Sequence, residues 1–357
     1  MQRRKKTGAW LALYVLLVGI SMHGMSEAAT SAQIDAARNR GLAWLYGHQQ
    51  GEGGWSAPFG AEAITGHSAL EAFNTAGVRG YPYYAALSWL DNLKTDSVDS
   101  VSRQLLGEAA AGGNALPYFF RLYPFKNDST RSTWGAYNQF STSITDTALA
   151  LRAIRVGQFT AAANYPNYTS EIKSAVFCNI LPAQNADGGW GQGQQISGGI
   201  ANLTKSGLLP TVLMVLELNA GKGTTGDSGS CGATYSIATA TTNALNWLLT
   251  LKKADNGFGE GTNSSVLETA MAYDALNTLR PADTAVGPAI DYLLSKQDAS
   301  AIGTASGGGS WSGSAVQTGY VLKVMPPPAS ALVDADGDGI PDAVETLLGT
   351  NPAVADS

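Results

Sequence analysis

Charge, cysteine and histidine are all scarce in this chain of 357 residues. Charged side chains make up 14% of it, there are two cysteines and three histidines, and the formal net charge is −6. Such an acidic balance excludes a nucleic-acid partner, which needs a clustered basic face. Two cysteines, Cys178 and Cys231, with His48 and His67 at no ligand spacing, exclude a zinc centre. Long apolar runs are missing too. Beyond residue 28 no segment reaches the roughly 20 apolar residues that a membrane-spanning helix requires.

The first residues read as a leader, not as part of the fold. Arg3-Arg4-Lys5-Lys6 is a basic stretch, Ala9 to Ile20 is an apolar core, and Ser26-Glu27-Ala28 is a small-x-small cleavage site. The expectation is cleavage after Ala28 and export to the periplasm, the cell surface or the medium. In such an oxidising compartment the pair Cys178–Cys231 is expected to bridge.

What the chain does have is an internal repeat. An aromatic helix end is followed by Gln, a short spacer, Gly, any residue and Trp: Gln49, Gly53 and Trp55; Gln184, Gly188 and Trp190; Gln297, Gly309 and Trp311. A weaker copy runs Lys252, Asn256 and Phe258. Helical spacing of apolar residues predicts helices over Ala61–Thr75, Tyr83–Lys94, Ile144–Val156, Leu203–Leu218, Val266–Leu279 and Val316–Val324. Units start near 41, 86, 130, 174, 241 and 288, with extra loop material around 221–235 and 299–308. Six helical hairpins that each bury an apolar face on a neighbour can close into a ring. The expected fold is all-α, an α/α toroid of six helical hairpins over residues 29–325.

The Gln-x3-Gly-x-Trp elements resemble the repeats of squalene–hopene cyclases, protein prenyltransferase β subunits and related terpenoid cyclase toroids. That resemblance implies the toroid and a bracing role for the elements: the Gln amide caps an outer helix end and stacks on a Trp of the adjacent unit. It does not extend to the family's chemistry. The Asp-x-Asp-Asp acid of triterpene cyclisation is absent, and Asp96-Ser97-Val98-Asp99 does not fit it. The cysteines have no partners for a prenyltransferase zinc, and Cys231-Gly232-Ala233-Thr234 cannot form the thioester found in other toroids of this kind.

A second column appears when the repeats are aligned: His67-Ser68-Ala69, Asp146-Thr147-Ala148, Lys205-Ser206-Gly207, Glu268-Thr269-Ala270 and Gln317-Thr318-Gly319. Equivalent positions in a ring of hairpins converge on one mouth. His67, Asp146, Lys205, Glu268 and Gln317 are therefore the candidate ligand-binding set, with Asp146 and Glu268 as candidate acid and base. The competing expectation is that these acids and hydroxyls simply cap helices and oppose their dipoles.

The sharpest motif lies near the end. Asp334, Asp336, Asp338, Ile340, Asp342 and Glu345 fall at positions 1, 3, 5, 7, 9 and 12 of an EF-hand-like calcium loop, with Gly339 at position 6. A single copy behind Pro326-Pro327-Pro328 resembles the calcium motifs of thrombospondin type 3 and dockerin-like repeats. Calcium is the expected cofactor, at a Kd of roughly 10⁻⁴–10⁻³ M. Residues 326–333 then read as a Pro-rich linker and 334–357 as a calcium-binding tail.

Three functions compete on these observations. The first is an exported, non-enzymatic toroid that binds an unidentified ligand or surface partner. The second is a terpenoid cyclase-like or polysaccharide-processing enzyme on the same scaffold. The third is a structural cell-surface assembly module.

Overall fold

The computed structural model describes residues 28–127, 133–157, 172–196, 199–201, 204–302 and 307–355. Residues 1–27 of the expected leader (1–28) lie outside them, as do Leu203 and the expected unit start near 130. Helices α1 (Ser31–Gly47), α2 (Glu62–Ala76), α3 (Tyr81–Asp91), α4 (Val98–Ala111), α5 (Leu116–Leu122) and α6 (Ile144–Val156) form the first half. A π-helical segment, α7 (Ala175–Ile180), leads to α8 (Leu208–Ala220) and the short α9 (Lys222–Thr225). Then come α10 (Ile237–Leu249), α11 (Val266–Leu279), α12 (Val286–Ser295), α13 (Ala315–Val324) and α14 (Asp342–Leu348).

Six of these make a closed inner ring: α2 packs on α4, α4 on α6, α6 on α8, α8 on α11, α11 on α13, and α13 back on α2. Helices α1, α3, α5, α7, α10 and α12 alternate with them in the chain as an outer layer. Each inner helix is reached through an outer one, so all six run the same way and present their N-termini at one mouth. Ring closure is tight. A Cβ on Gly319 of α13 would lie 2.7 Å from the Ser68 carbonyl oxygen of α2, so only glycine permits that approach. The ring is all-helical as expected, but two short antiparallel hairpins are added to it: Gln194–Ile196 with Gly199–Ala201, and Ser228–Cys231 with Ala233–Ser236. Cys178 and Cys231 form a disulfide, Cα to Cα 5.2 Å, that ties α7 to the second hairpin.

Expected and observed helices agree for α6 and α11, and within two or three residues for α2, α3 and α13. Helix α8 begins at Leu208, five residues later than the apolar spacing places it. Helices α4 and α5 were not anticipated. Helix α4 does carry an apolar stripe, Val98, Val101 and Leu105, but Ser100, Ser102, Arg103 and Gln104 are buried among those residues and dilute it.

The aromatic elements brace the ring through hydrogen bonds. Gln49 Nε2 donates to the carbonyls of Gly53 and of Pro82 in the next outer helix, Gln184 to Gly188 and Ala240, and Gln297 to Gly309 and Ala37, each at 2.8 Å. The last pair joins the sixth unit to the first. The orphan carbonyls at outer-helix ends are satisfied instead by the indoles: Trp55 to Leu45, Trp190 to Ile180 and Trp311 to Leu293. Helix-end capping is thus a Trp role, and the Gln amide reaches across to the next unit. Trp134 makes the same bond to Leu122 in a unit that has no Gln at that place. Gly309 has φ 91°, and a Cβ there would sit 2.4 Å from the Arg40 carbonyl oxygen. In the weak copy Asn256, at φ 69°, takes that left-handed position, which Asn tolerates better than most residues.

Candidate functional site

The mouth at the inner-helix N-termini is ordered by a repeated cap. Ser97, Ser143, Ser265 and Ser314 each accept a hydrogen bond from the backbone N–H three residues on, at the starts of α4, α6, α11 and α13. One position after that N–H comes Thr147, Thr269 or Thr318, and in α8 Thr211. These hydroxyls accept from the backbone N–H of Trp134, Phe258, Trp311 and Trp190 at 3.0, 2.8, 3.0 and 2.8 Å. The threonine, not the polar residue before it, locks these four inner helices to their aromatic braces.

This register decides which of the expected residues come together. Asp146, Glu268 and Gln317 occupy equivalent places, three residues after their cap serines. His67 does not: α2 starts at Glu62, so His67 lies a turn deeper, and Thr65 is the threonine of its unit. Lys205 is an exposed residue ahead of α8, whose threonine is Thr211. Glu268 is occupied locally, accepting from Ser265 Oγ at 2.7 Å and from the Glu260 N–H at 3.1 Å. Asp146, half-buried like Glu268, accepts no hydrogen bond of that kind from a neighbouring loop among the described residues.

The alignment missed Asp99, because α4 itself was missed. Ser97-Val98-Asp99-Ser100, a cap serine followed by an acid, was the available signal. Asp99 accepts from Arg103 Nε and NH2 at 2.9–3.0 Å in a bidentate pair. Burial opposes its ionisation, but the Arg103 charge and hydrogen bonds win and hold its carboxyl below the usual range. Asp146, within electrostatic reach of Asp99, is pushed the other way, first by burial and then by the Asp99 charge, against the pull of Ser143 and Arg103. Two carboxyl groups from adjacent inner helices thus sit at one mouth with opposite preferences. Beneath them His67 is held neutral down to about pH 3, chiefly by burial and then by Arg103, with Nδ1 3.5 Å from Arg103 NH1.

Deeper in the ring the interior is filled by ion pairs. Glu71 is engaged by Arg152 and lies 3.7 Å from Lys323, Lys323 pairs with Asp274 at 3.2 Å, and Arg155 grips Glu217 with two nitrogens. Burial disfavours the Glu71 anion, yet Arg152 and Lys323 hold it ionised. A cavity of about 240 Å³ lies toward the opposite mouth, lined by Glu71, Arg152, Lys323, His67 and Leu106 among others. It is below the roughly 300–1,000 Å³ of pockets that enclose drug-sized ligands, and its wall is charged where a hydrocarbon binder needs an apolar one.

The Asp-rich segment lies against the ring. Carboxylate oxygens of Asp334, Asp336 and Asp338 are within 4.8 Å of one another. Asp334 accepts from the Gly337 and Gly339 N–H groups, Asp336 from Asp338, Asp338 from Ile340 and Asp342 from Ala335, which curls the loop around its acids. Gly339 turns at φ 95°, Glu345 is fully buried, and Asp336 Oδ2 is buried with no protein hydrogen bond. That donor set fits a hard divalent cation. The loop also abuts α1 and α3: Tyr46 donates to the Gly339 carbonyl at 2.9 Å, and a Cβ on Gly80 would meet the Asp338 carbonyl at 2.4 Å.

No protein-family model and no curated protein sequence matches this chain. Solved structures of similar fold do. The type II terpene cyclase MstE from Scytonema, in complex with geranylgeranyl dihydroxybenzoate, matches at TM-score 0.55 and 15% identity over 83% of this chain and 97% of the other. An inactive double Asp-to-Asn variant of the α-1,6-mannanase GH76A of Salegentibacter, with α-1,6-mannotriose, matches at 0.54 and 10% identity over 82% and 98%. An ent-copalyl diphosphate synthase from Streptomyces platensis matches at 0.52 and 17% identity over 81% and 50%. At these identities the likeness is one of fold: the ring is the α/α toroid that these enzymes share.

Proposed function

We propose that this protein is an enzyme of the toroid scaffold that hydrolyses a polysaccharide at the inner-helix N-terminal mouth, with Asp146 as the proton donor and Asp99 as its ionised partner. The observation that carries this is the pair of carboxyl groups on α4 and α6, one fixed as an anion by bidentate Arg103 and one desolvated. Divergent environments of that kind assign acid and base roles. Asp146 passes its proton to the glycosidic oxygen as the sugar–oxygen bond breaks. A water supplies hydroxyl to the sugar carbon and its proton to Asp99, and solvent resets both groups. This favours the enzymatic alternative over a non-enzymatic binding toroid, and the polysaccharide branch over the cyclase branch. A cyclase needs a strong acid in an apolar chamber, whereas here Glu71, Arg152 and Lys323 line the interior space. The mannanase neighbour, inactive when two aspartates become asparagines, is in keeping with this reading.

The protein would act after export, with the disulfide in place. Calcium would be held by Asp334, Asp336, Asp338, Ile340, Asp342 and Glu345, where it neutralises the acids and fixes the loop against Tyr46 and Gly80. The test is release of reducing ends from a panel of plant, yeast and bacterial polysaccharides. Asp146→Asn should lower the rate about 10²–10⁴-fold with unchanged melting, and Asp99→Asn should lower it comparably, with some loss of stability because Arg103 is left without its anion. Wild-type protein inert on the whole panel, or an Asp146→Asn variant of full activity, would sink the assignment.

A further inference from the structure

Beside the mouth lies a second feature that the acid pair does not use. A groove of about 580 Å³ runs between α5 and the loop that leads into α6, lined by Phe120, Phe125, Tyr137, Asn138, Arg121 and Asp96. Three of its rings are about half exposed: Phe120 48%, Tyr137 49%, and Phe140, edge-on to Tyr137 at 5.2 Å, 57%. Large rings left in water on a folded surface are a feature that needs a reason.

The rings stand on rigid supports. At the base of the loop Trp134 is buried and bonded to Leu122 and Thr147. The Ser143 N–H donates to the Trp134 carbonyl, and the Val98 N–H of α4 donates to the Ala136 carbonyl at 2.9 Å. Arg121 is equally fixed. Its guanidinium donates to the Thr95 carbonyl at 2.6 Å and to Gln104 Oε1 at 3.1 Å, and lies 3.5 Å from Asp96. Gln104 is itself buried, its amide nitrogen bonded to carbonyls at the end of α3.

We propose that this groove is a glycan-binding site for a neutral polysaccharide, whose sugar rings lie on Tyr137 and Phe120 while Arg121, Asp96 and Asn138 bond their hydroxyls. Pyranose rings carry apolar C–H faces and a rim of hydroxyls, which matches flat aromatic faces bordered by a guanidinium, a carboxylate and an amide. Among the described residues that line the groove, Arg121 and Asp96 pair with each other, which leaves no surplus charge on them to draw an anionic polymer. The hydrogen-bonded Trp134 and Ala136 and the anchored Arg121 reduce the entropy lost when a ligand settles. Asp96 and Tyr137 lie on the two loops that feed α4 and α6, so a chain held here runs toward Asp99 and Asp146. The inference deepens the hydrolytic reading by supplying its substrate class, and binding itself requires neither of those acids.

Affinity electrophoresis of the full chain in gels containing yeast mannan, laminarin or xylan, with alginate as the anionic control, tests it. Retardation by at least one neutral polysaccharide and not by alginate is expected. Tyr137→Ala and Phe120→Ala should each weaken it about tenfold without a change in melting temperature, and Tyr137→Trp should retain it. Asp146→Asn should bind as the wild type does while losing hydrolysis, which separates a failure of the groove from a failure of the acid pair. No retardation in any neutral gel, equal retardation in alginate, or undiminished binding by both alanine variants would overturn the proposal.

Discussion

Replacing Gln297 by alanine removes the hydrogen bonds that close the ring. Its Nε2 donates to Gly309 of its own unit and to Ala37 of α1, both at 2.8 Å. Gln49 and Gln184 make geometrically matched pairs inside the chain order. Each neutral hydrogen bond is worth about 0.5–1.5 kcal/mol net, so Gln297→Ala should cost about 1–3 kcal/mol. For a ring of this size about 1 kcal/mol corresponds to roughly 2–4 °C in Tm, which puts the expected drop at about 2–12 °C. Calorimetry of Gln49→Ala, Gln184→Ala and Gln297→Ala, side by side, is the assay. Because the bonds match, the three losses should agree within about 1 kcal/mol. The Gln297 variant should also show earlier proteolysis of α1, whose partner unit is the last in the chain. A Tm within 1 °C of wild type would refute the brace as an energetic element and leave ring closure to the α2–α13 packing alone.

Other outcomes follow from the same structure. His67 is neutral in the fold down to about pH 3 but titrates near 6.5 when unfolded. Stability should therefore be complete above about pH 6.5 and fall by up to about 1.4 kcal/mol per pH unit below it, and urea titrations of His67→Gln should show a flatter acid limb. The rate of hydrolysis should be bell-shaped: Asp99 must be ionised, so its limb lies below the ordinary carboxylate range, and Asp146 must be protonated, so the alkaline limb lies above it. Calcium at about ten to a hundred times its Kd should add about 1.4–2.7 kcal/mol, seen as a Tm increase that Glu345→Gln abolishes; an unaltered Tm would count against the site. Reducing the Cys178–Cys231 bridge, or replacing both cysteines by serine, should cost up to about 4 kcal/mol in the chain-entropy model, measured by guanidinium unfolding.

The ring was legible before any coordinates because its braces are local in sequence. Gln, Gly and Trp fall within seven residues in two copies, and a longer spacer separates Gln297 from Gly309 and Trp311 in the third. The third unit was obscure for the complementary reason. Trp134 braces it without a Gln, and in the unit before it α4 buries Ser102, Arg103 and Gln104 among its apolar residues. The mouth was half legible. Asp146, Glu268 and Gln317 follow from repeat register, whereas His67 and Lys205 were aligned on hydroxyl neighbours that are not the structural threonines.

The amino-acid sequence by itself determined the number of hairpins, the aromatic elements that hold them and the Asp-rich loop, since each depends on spacing along one stretch of chain. Only the tertiary structure decided the rest. It brought Asp99 within electrostatic reach of Asp146, filled the interior with the Glu71–Arg152–Lys323–Asp274 pairs, laid the loop of Asp334 to Glu345 on Tyr46 and Gly80, and formed a groove between Phe120 and Tyr137. Each of these joins residues distant in the chain or supplied by separate elements. Their chemistry depends on burial and on charges across a gap, and neither quantity exists until the ring has closed.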